Sequence, residues 1–173
     1  MQAPSPTEYH QLLVAVKQRV RDAQYRALQQ VNQQQMQLYW DLGHLITERQ
    51  QQHGWGKGIV ETLARDLQAE FVGMSGFSAS NLWRMRNFYS EYQADEFLAQ
   101  AVREIPWGQN VLILERCKTP AERLFYVVQA RQNNWSRSVL EQQIKAQAYQ
   151  NTVLAQQNFP QTLSPERQAG APR

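Results

Sequence analysis

The chain has 173 residues, a formal net charge of +3 and one cysteine. This length suffices for a domain with a buried core, and the lone Cys117 excludes an internal disulfide and fits a reducing, cytoplasmic location. No apolar run approaches the length of a membrane span, and residues 1–8 lack the features of a signal peptide, so we expect a soluble protein with no membrane partner. The positive charge is compatible with a nucleic-acid partner but too small to demonstrate one.

The segment from Thr7 to about His53 contains Gly43 but no other Gly and no Pro. Its apolar residues recur at helical spacing: Leu13, Val16, Val20, Leu28, Val31, Leu38, Leu42, Leu45 and Ile46. This periodicity predicts one or two long helices with Gln-rich solvated faces. We expect the helical segment to end at Gly54, because Gly readily adopts the left-handed conformation that terminates a helix.

An amphipathic helix is predicted from Ile59 to Phe71, and a turn with glycines at 73 and 76 follows it. Ser78 is placed to cap another helix that runs to about Tyr92. Three further helices are predicted at 106–117, at 120 to about 131, and from the cap at 136 to about 149. No segment alternates with period two, so the predicted fold class is all-α, with one helical domain at 7–150 and a linker or disordered tail at 151–173.

Two sequence motifs occur twice. Phe77–Leu82 and Trp135–Leu140 share the order aromatic, Ser, any residue, Ser, any residue, Leu, at an offset of 58 residues (136 minus 78). The pair Trp-Gly occurs at 55 and again at 107, at an offset of 52 (107 minus 55). The repetition predicts two helix-turn-helix-like units, an arrangement in which one helix supports a second that enters the major groove of DNA.

A helical wheel divides the helix after Ser78 into two faces. The packing face holds Leu82, Met85, Tyr89 and Tyr92, with Phe88 at its edge. The outward face holds Ser80, Trp83, Arg84, Asn87 and Glu91. Because Arg can form two hydrogen bonds with guanine and Asn two with adenine, this outward face is compatible with DNA contacts. An ordinary capped core helix would show the same two faces, and an exposed Trp83 would suit a protein contact equally well.

No chemistry of catalysis or metal binding is apparent in the sequence. The glycine-rich segment around Lys57 lacks the preceding strand and the following Ser or Thr of a phosphate loop, which leaves Lys57 only as a candidate contact for a backbone phosphate. The three His residues and the carboxylates lack ligand spacing. We therefore expect no metal, no cofactor and no enzymatic activity.

Five motifs in a fixed order carry a family resemblance: Tyr39–Gly43, Gly54–Lys57, Gly76–Tyr89, Ile105–Gly108 and Trp135–Arg137. With them the sequence resembles the N-terminal domain of the YhcG-like family over roughly Tyr9 to Tyr149, although this chain has Gln109 where relatives often carry a His. The resemblance implies a helical, helix-turn-helix-like, nucleic-acid-binding domain. In that family the domain usually precedes a nuclease domain of the PD-(D/E)XK type, whose motif this chain does not contain.

Three hypotheses about the function follow from these observations, two of them favoured and one disfavoured. The first is a DNA-binding module that delivers a fused or separate nuclease domain to its target. Its candidate nucleic-acid-binding residues are Ser80, Arg84, Arg86, Asn87, Lys57, Arg137 and Lys145. The second is a protein-interaction scaffold whose long N-terminal helices pair with another copy, as a homodimer, or with a nuclease domain. The third, a nuclease acting alone, is disfavoured because a carboxylate cluster is missing.

Overall fold

A computed structural model describes residues 5–162, and within this range the chain forms eight α-helices and no β-strand. In chain order they are α1 (Pro6–His53), α2 (Gly58–Glu70), α3 (Ala79–Tyr92), α4 (Glu96–Val102), α5 (Trp107–Arg116), α6 (Pro120–Gln132), α7 (Arg137–Lys145) and α8 (Ala148–Thr162). The predicted all-α fold class is confirmed. The chain divides between Trp107 and Gly108 into two compact units, so the domain predicted at 7–150 comprises two parts.

Helix α1 is a single element of 48 residues, roughly 70 Å long at 1.5 Å per residue. Its N-terminus carries a reciprocal cap in which the Glu8 amide donates to Ser5 Oγ (3.3 Å) and the Ser5 amide donates to Glu8 Oε2 (2.8 Å). It ends at Gly54, whose φ of 62° lies in the left-handed region, as the sequence predicts. None of the helices within residues 5–162 combines the length and the apolar character that a membrane span requires.

The first unit is built around the packing of α3 on α1. Its core brings together buried residues of α1, α2, α3 and the turn before α3: Tyr39, Ile46, Val60, Ala64, Phe77, Leu82 and Met85. Helices α1 and α3 are in close contact at Gly43, where an added Cβ would overlap the carbonyl oxygen of Met85. One turn later, Thr47 Oγ1 donates to the Gly43 carbonyl (2.8 Å) and lies 3.5 Å from Ser90 Oγ. Gly43 is therefore present for close helix packing rather than for a break in α1.

The second unit is held together by polar links between its helices as well as by apolar packing. Its buried apolar residues include Leu112, Ile113, Cys117, Tyr126, Val127, Ala130 and Leu140. Gln109 Nε2 donates to the Trp135 carbonyl (2.7 Å), and the Tyr149 amide donates to the Tyr126 hydroxyl oxygen (3.3 Å). Gln109 thus has a hydrogen-bond partner within the second unit.

Three helices differ from the sequence prediction. Helix α4 was not predicted, because seven residues are too few to establish a period, although Asp95 caps it by accepting from the Leu98 amide (3.0 Å). Helix α7 ends at Lys145, and Gln147 adopts a positive φ of 55° before α8 begins. The structure then shows helix over 151–162, where the sequence predicts a linker or disordered tail, since residues 148–159 contain no Gly or Pro. The remainder of the predicted tail, 163–173, lies outside the described residues.

The Gly43 contact predicts that Gly43→Ala destabilises the fold despite the better helix propensity of Ala. The new methyl group must displace backbone, so we expect the free energy of unfolding to fall by about 2 kcal/mol. Gly56→Ala is the matched control, because nothing lies within 4 Å of a Cβ there, and its change should stay within about 0.5 kcal/mol. Urea unfolding of both variants measures the difference. Equal effects would show that α1 and α3 do not meet at Gly43.

The buried Cys117 predicts a pH dependence of stability. The pKa of its thiol is raised from 9.0 to about 12, mainly by burial and also by the negative charge of Glu122, while the positive charge of Arg123 partly offsets both. Below pH 9 the thiol is protonated in the folded and the unfolded chain, so its contribution to stability is fully present. Above pH 9 the unfolded thiol ionises first, and this contribution is lost as the pH rises towards 12.

The stability advantage of the wild type over Cys117→Ala should therefore shrink above pH 9, by at most about 1.4 kcal/mol per pH unit. Urea unfolding of both proteins at pH 7, 9 and 10 tests this, and other groups that titrate in this range affect both chains alike. A difference that stays constant across these pH values would contradict the prediction.

Candidate nucleic-acid interface

Helix α3 begins at a turn that is fixed by side-chain hydrogen bonds. The Ser78 hydroxyl caps α3 by accepting from the Asn81 amide (3.2 Å). Asn81 Nδ2 donates to the Gly76 carbonyl (2.7 Å), and Asn81 Oδ1 accepts from Trp107 Nε1 (2.9 Å). Gly76 has a φ of 105°, and a Cβ there would lie 2.5 Å from the Tyr39 hydroxyl. Its conformation and its position against Tyr39 both require glycine, and together these contacts define where α3 starts.

Helix α3 confirms the packing face predicted by the helical wheel. Leu82, Met85 and Tyr92 are buried, and Tyr89 is half-buried with its ring stacked on His44 at 4.7 Å between centroids. Phe88, placed at the edge of the face by the wheel, is fully buried and contacts the Trp107 ring edge-on. The wheel gives the direction of each Cα to Cβ bond, but a large ring can reach inward from an edge position.

Three of the predicted DNA-contacting residues lie exposed on the outward face of α3. Ser80, Arg84 and Asn87 are all exposed, and they occupy successive turns of the helix. Glu91 is exposed on the same face one turn further on. A negatively charged side chain repels phosphate, so the part of this face suited to DNA is the part from Ser80 to Asn87. The N-terminal residues of a recognition helix are the ones that contact base edges.

The structure corrects the expectation for Trp83 and shows a partner within the protein for Arg86. Trp83, predicted to point outward, is half-buried and packs against the core of the first unit, because its indole ring is large enough to fold back over neighbouring apolar residues. Arg86, predicted to flank the DNA at a phosphate, donates from Nε to Gln50 Oε1 (2.6 Å) in α1. Its guanidinium carbon also lies 5.5 Å from the centre of the Trp83 ring. Arg86 therefore contributes to the packing of α3 on α1.

Lys57 occupies a different element from the α3 residues. It is the last residue before α2, its backbone carbonyl accepts from the Val60 amide (3.1 Å), and its side chain is exposed. The structure thus has Lys57 at the N-terminus of the helix that precedes the α3 turn. A lysine at this position can contact a phosphate without taking part in base recognition.

The two remaining candidates, Arg137 and Lys145, belong to the second unit. Ser136 caps α7 by accepting from the Val139 amide (3.2 Å), which reproduces the Ser78 cap of α3. Arg137 is exposed in the first turn of α7. Lys145 forms an ion pair with Glu141 (3.1 Å), and its hydrogen bond and charge lower the pKa of that carboxyl. Because the negative charge of Glu141 offsets that of Lys145, we expect Lys145 to attract a phosphate less strongly than Arg137 does.

The repeated Trp-Gly motif does not have the same position in both units. Trp55 and Gly56 precede α2, whereas Trp107 and Gly108 are the first two residues of α5. The repetition in sequence therefore corresponds to two equivalent Ser caps, at Ser78 and Ser136, but not to two equivalent helix starts. Within residues 5–162, no group of three or more His, Cys, Asp or Glu side chains is arranged to hold a metal ion.

Comparison with known proteins identifies one family. Residues 15–151 match the family described as the DUF1016 N-terminal domain. No curated protein and no solved structure matches the chain.

Proposed function

The chain belongs to the family of the DUF1016 N-terminal domain, the N-terminal domain of YhcG-like proteins, and from this premise we propose that it is a DNA-binding module in which α3 enters the major groove. The observation that carries the proposal is the pairing of an exposed Arg84 with an exposed Asn87 on a helix whose opposite face is fixed against α1. These are the side-chain types that contact guanine and adenine through two hydrogen bonds each.

Rigidity at the start of α3 supports the proposal. A recognition helix must hold its base-contacting side chains in register with the groove, so that little entropy is lost on binding. The Ser78 cap, the Asn81 bonds and the close contact at Gly43 restrain α3 at both its start and its middle. Helix α2 packs against the same core and is joined to α3 by eight residues (71–78), more than the three or four of a typical helix-turn-helix. In this proposal α2 supports α3 as the first helix of that motif does.

The other candidates have supporting roles in this proposal. Ser80 lies one turn before Arg84, where its hydroxyl can bond to a phosphate or a base, and Lys57 can contact the backbone. Arg86 acts indirectly, because its bond to Gln50 holds α3 in place. Arg137 and Lys145 would form a separate phosphate contact in the second unit. We propose that the chain binds DNA without cleaving it and that catalysis belongs to an associated nuclease domain.

The proposal predicts that duplex DNA binding weakens as salt rises and depends on Arg84. Loss of a bidentate contact costs about 1–3 kcal/mol, so Arg84→Ala should bind roughly tenfold more weakly or worse. Arg19→Ala is the matched control, because it removes an equal charge from an exposed position on α1, away from α3. Fluorescence anisotropy at about 50 and 200 mM salt measures both variants. Equal losses in the two variants, or an affinity that does not respond to salt, would contradict the proposal.

The chain alone should leave DNA intact. Supercoiled plasmid incubated with the purified chain and Mg²⁺ should show no nicking above that of a buffer control, since the proposal assigns only binding to these residues. Gel electrophoresis over several hours provides the measurement. Cleavage activity that co-purifies with the chain and is abolished by EDTA would contradict the proposal and show that the chain is itself a nuclease.

A further inference from the structure

The two halves of α1 differ in how much they pack. In the C-terminal half, Met36, Tyr39, Gly43, Ile46 and Thr47 are buried against the rest of the first unit. In the N-terminal half, from Glu8 to Val31, every side chain except that of Leu13 is exposed. A helix of this length gains most of its stability in water from packing of an apolar face, which this half does not find within the described residues of its own unit.

A continuous apolar face nevertheless runs along α1. At 100° per residue, its members lie within about 40° of one direction, on the side of α1 opposite Gly43 and Met36. We call this face the α1 stripe, and its members are Tyr9, Leu13, Val16, Val20, Ala23, Ala27, Val31, Leu38 and Leu45. Two polar residues share this face, Gln34 within it and Asp41 at its edge. Leu13 is half-buried, and the exposed fractions of the other large members range from 43% at Leu38 to 68% at Val31.

The stripe is symmetric about Ala27. When α1 is laid against an antiparallel copy centred on Ala27, Tyr9 meets Leu45, Val16 meets Leu38 and Ala23 meets Val31. The two small residues, Ala23 and Ala27, fall at the centre, where they let the helix axes approach closely. The polar Gln34 and Asp41 meet Val20 and Leu13. Seven of the nine apolar members therefore face an apolar residue of the partner, with Ala27 facing its own copy.

Charge favours the antiparallel arrangement over the parallel one. Before Ala27, α1 carries Lys17, Arg19, Arg21 and Arg26 against Glu8 and Asp22, a net charge of +2 (four minus two). After Ala27 it carries Arg49 against Asp41 and Glu48, a net charge of −1 (one minus two). Antiparallel pairing places the positive half of each copy beside the negative half of the other. Parallel pairing would instead place the two positive halves side by side, and likewise the two negative halves.

A groove at the C-terminal end of the stripe provides a site for the aromatic residue at its N-terminal end. The groove has a volume of about 400 Å³ and lies between α1 and α2, lined by mostly apolar side chains that include Leu45, Trp55 and Leu63. In the antiparallel register, Tyr9 of one copy lies opposite Leu45 of the other. An aromatic side chain that fills an apolar groove is the typical anchor of a protein interface.

We propose that the α1 stripe is the interface of an antiparallel homodimer with its twofold axis at Ala27. Burial of roughly 60 Å² for each apolar side chain of the stripe on both copies gives an interface of roughly 1,000 Å², which meets the lower limit for a specific interface. The aliphatic portions of the Lys, Arg and Gln side chains that flank the stripe add to this buried area. The inference does not depend on DNA binding. The proposed DNA-contacting face belongs to α3, which packs on the side of α1 opposite the stripe.

The mass of the full chain in solution tests the dimer. Sedimentation equilibrium should give about twice the 20.2 kDa of one chain, and Val31→Glu should raise the dimer dissociation constant at least tenfold, because it places a charge in each copy of the stripe. Gln33→Glu, which introduces the same charge at an exposed position off the stripe, is the matched control and should leave the constant within about twofold. Val31 is exposed in the single chain and Glu is a good helix former, so the circular dichroism of the variant reports that it still folds.

Cysteine cross-linking tests the direction of pairing. Under mild oxidation, Ala27→Cys should form a disulfide dimer, whereas Val16→Cys should form one only when mixed with Leu38→Cys. The wild-type chain is the negative control and should form no disulfide dimer, because its Cys117 is buried. A monomer at about 100 µM, an equal effect of Val31→Glu and Gln33→Glu, or failure of Ala27→Cys to cross-link overturns the proposal. A disulfide between two copies of Val16→Cys would show parallel pairing and overturns it equally.

Discussion

The close contact between Gly43 and the backbone at Met85 is the constraint on which the first unit depends. Because no side chain separates the two helices there, α3 can pack on α1 in only one rotation about its own axis. That rotation buries Leu82, Met85 and Phe88 and leaves the opposite face in water. The exposure of Arg84 and Asn87 is thus a consequence of a glycine on another helix.

Local sequence signals were sufficient for the fold class and for most helix boundaries. Ser78 and Ser136 cap the helices that their sequence context predicts, and the period of apolar residues identifies the packing face of α3. These features depend on residues within about one turn of each other, so a single sequence contains all the information required. Helix α4 is too short to show a period, and α8 continues because nothing in 148–159 ends it.

The candidate site was less predictable, because the roles of its residues depend on partners far away in sequence. A wheel places Trp83 on the outward face, and Arg86 is predicted to contact a phosphate beside that face. The wheel does not contain Gln50, which accepts a hydrogen bond from Arg86 across 36 positions of the chain. The side-chain amide of Asn81 likewise serves packing, because it bonds to both the Gly76 carbonyl and the Trp107 indole. Polar residues on a helix can serve packing or binding, and only the neighbouring elements distinguish the two.

If α1 pairs with a second copy about Ala27, its geometry also limits how the dimer can meet DNA. Gly43, where α3 packs, lies 16 residues from Ala27 (43 minus 27), or roughly 24 Å along the helix. The two α3 helices would then be separated by roughly 48 Å along α1 alone, which exceeds the 34–36 Å between successive major-groove sites on one side of a duplex. A dimer of this kind would not place its two copies of α3 in adjacent turns of one groove, as compact helix-turn-helix dimers do. It would instead hold two separated DNA segments, or two points more than one turn apart, with the rigid α1 pair as the spacer.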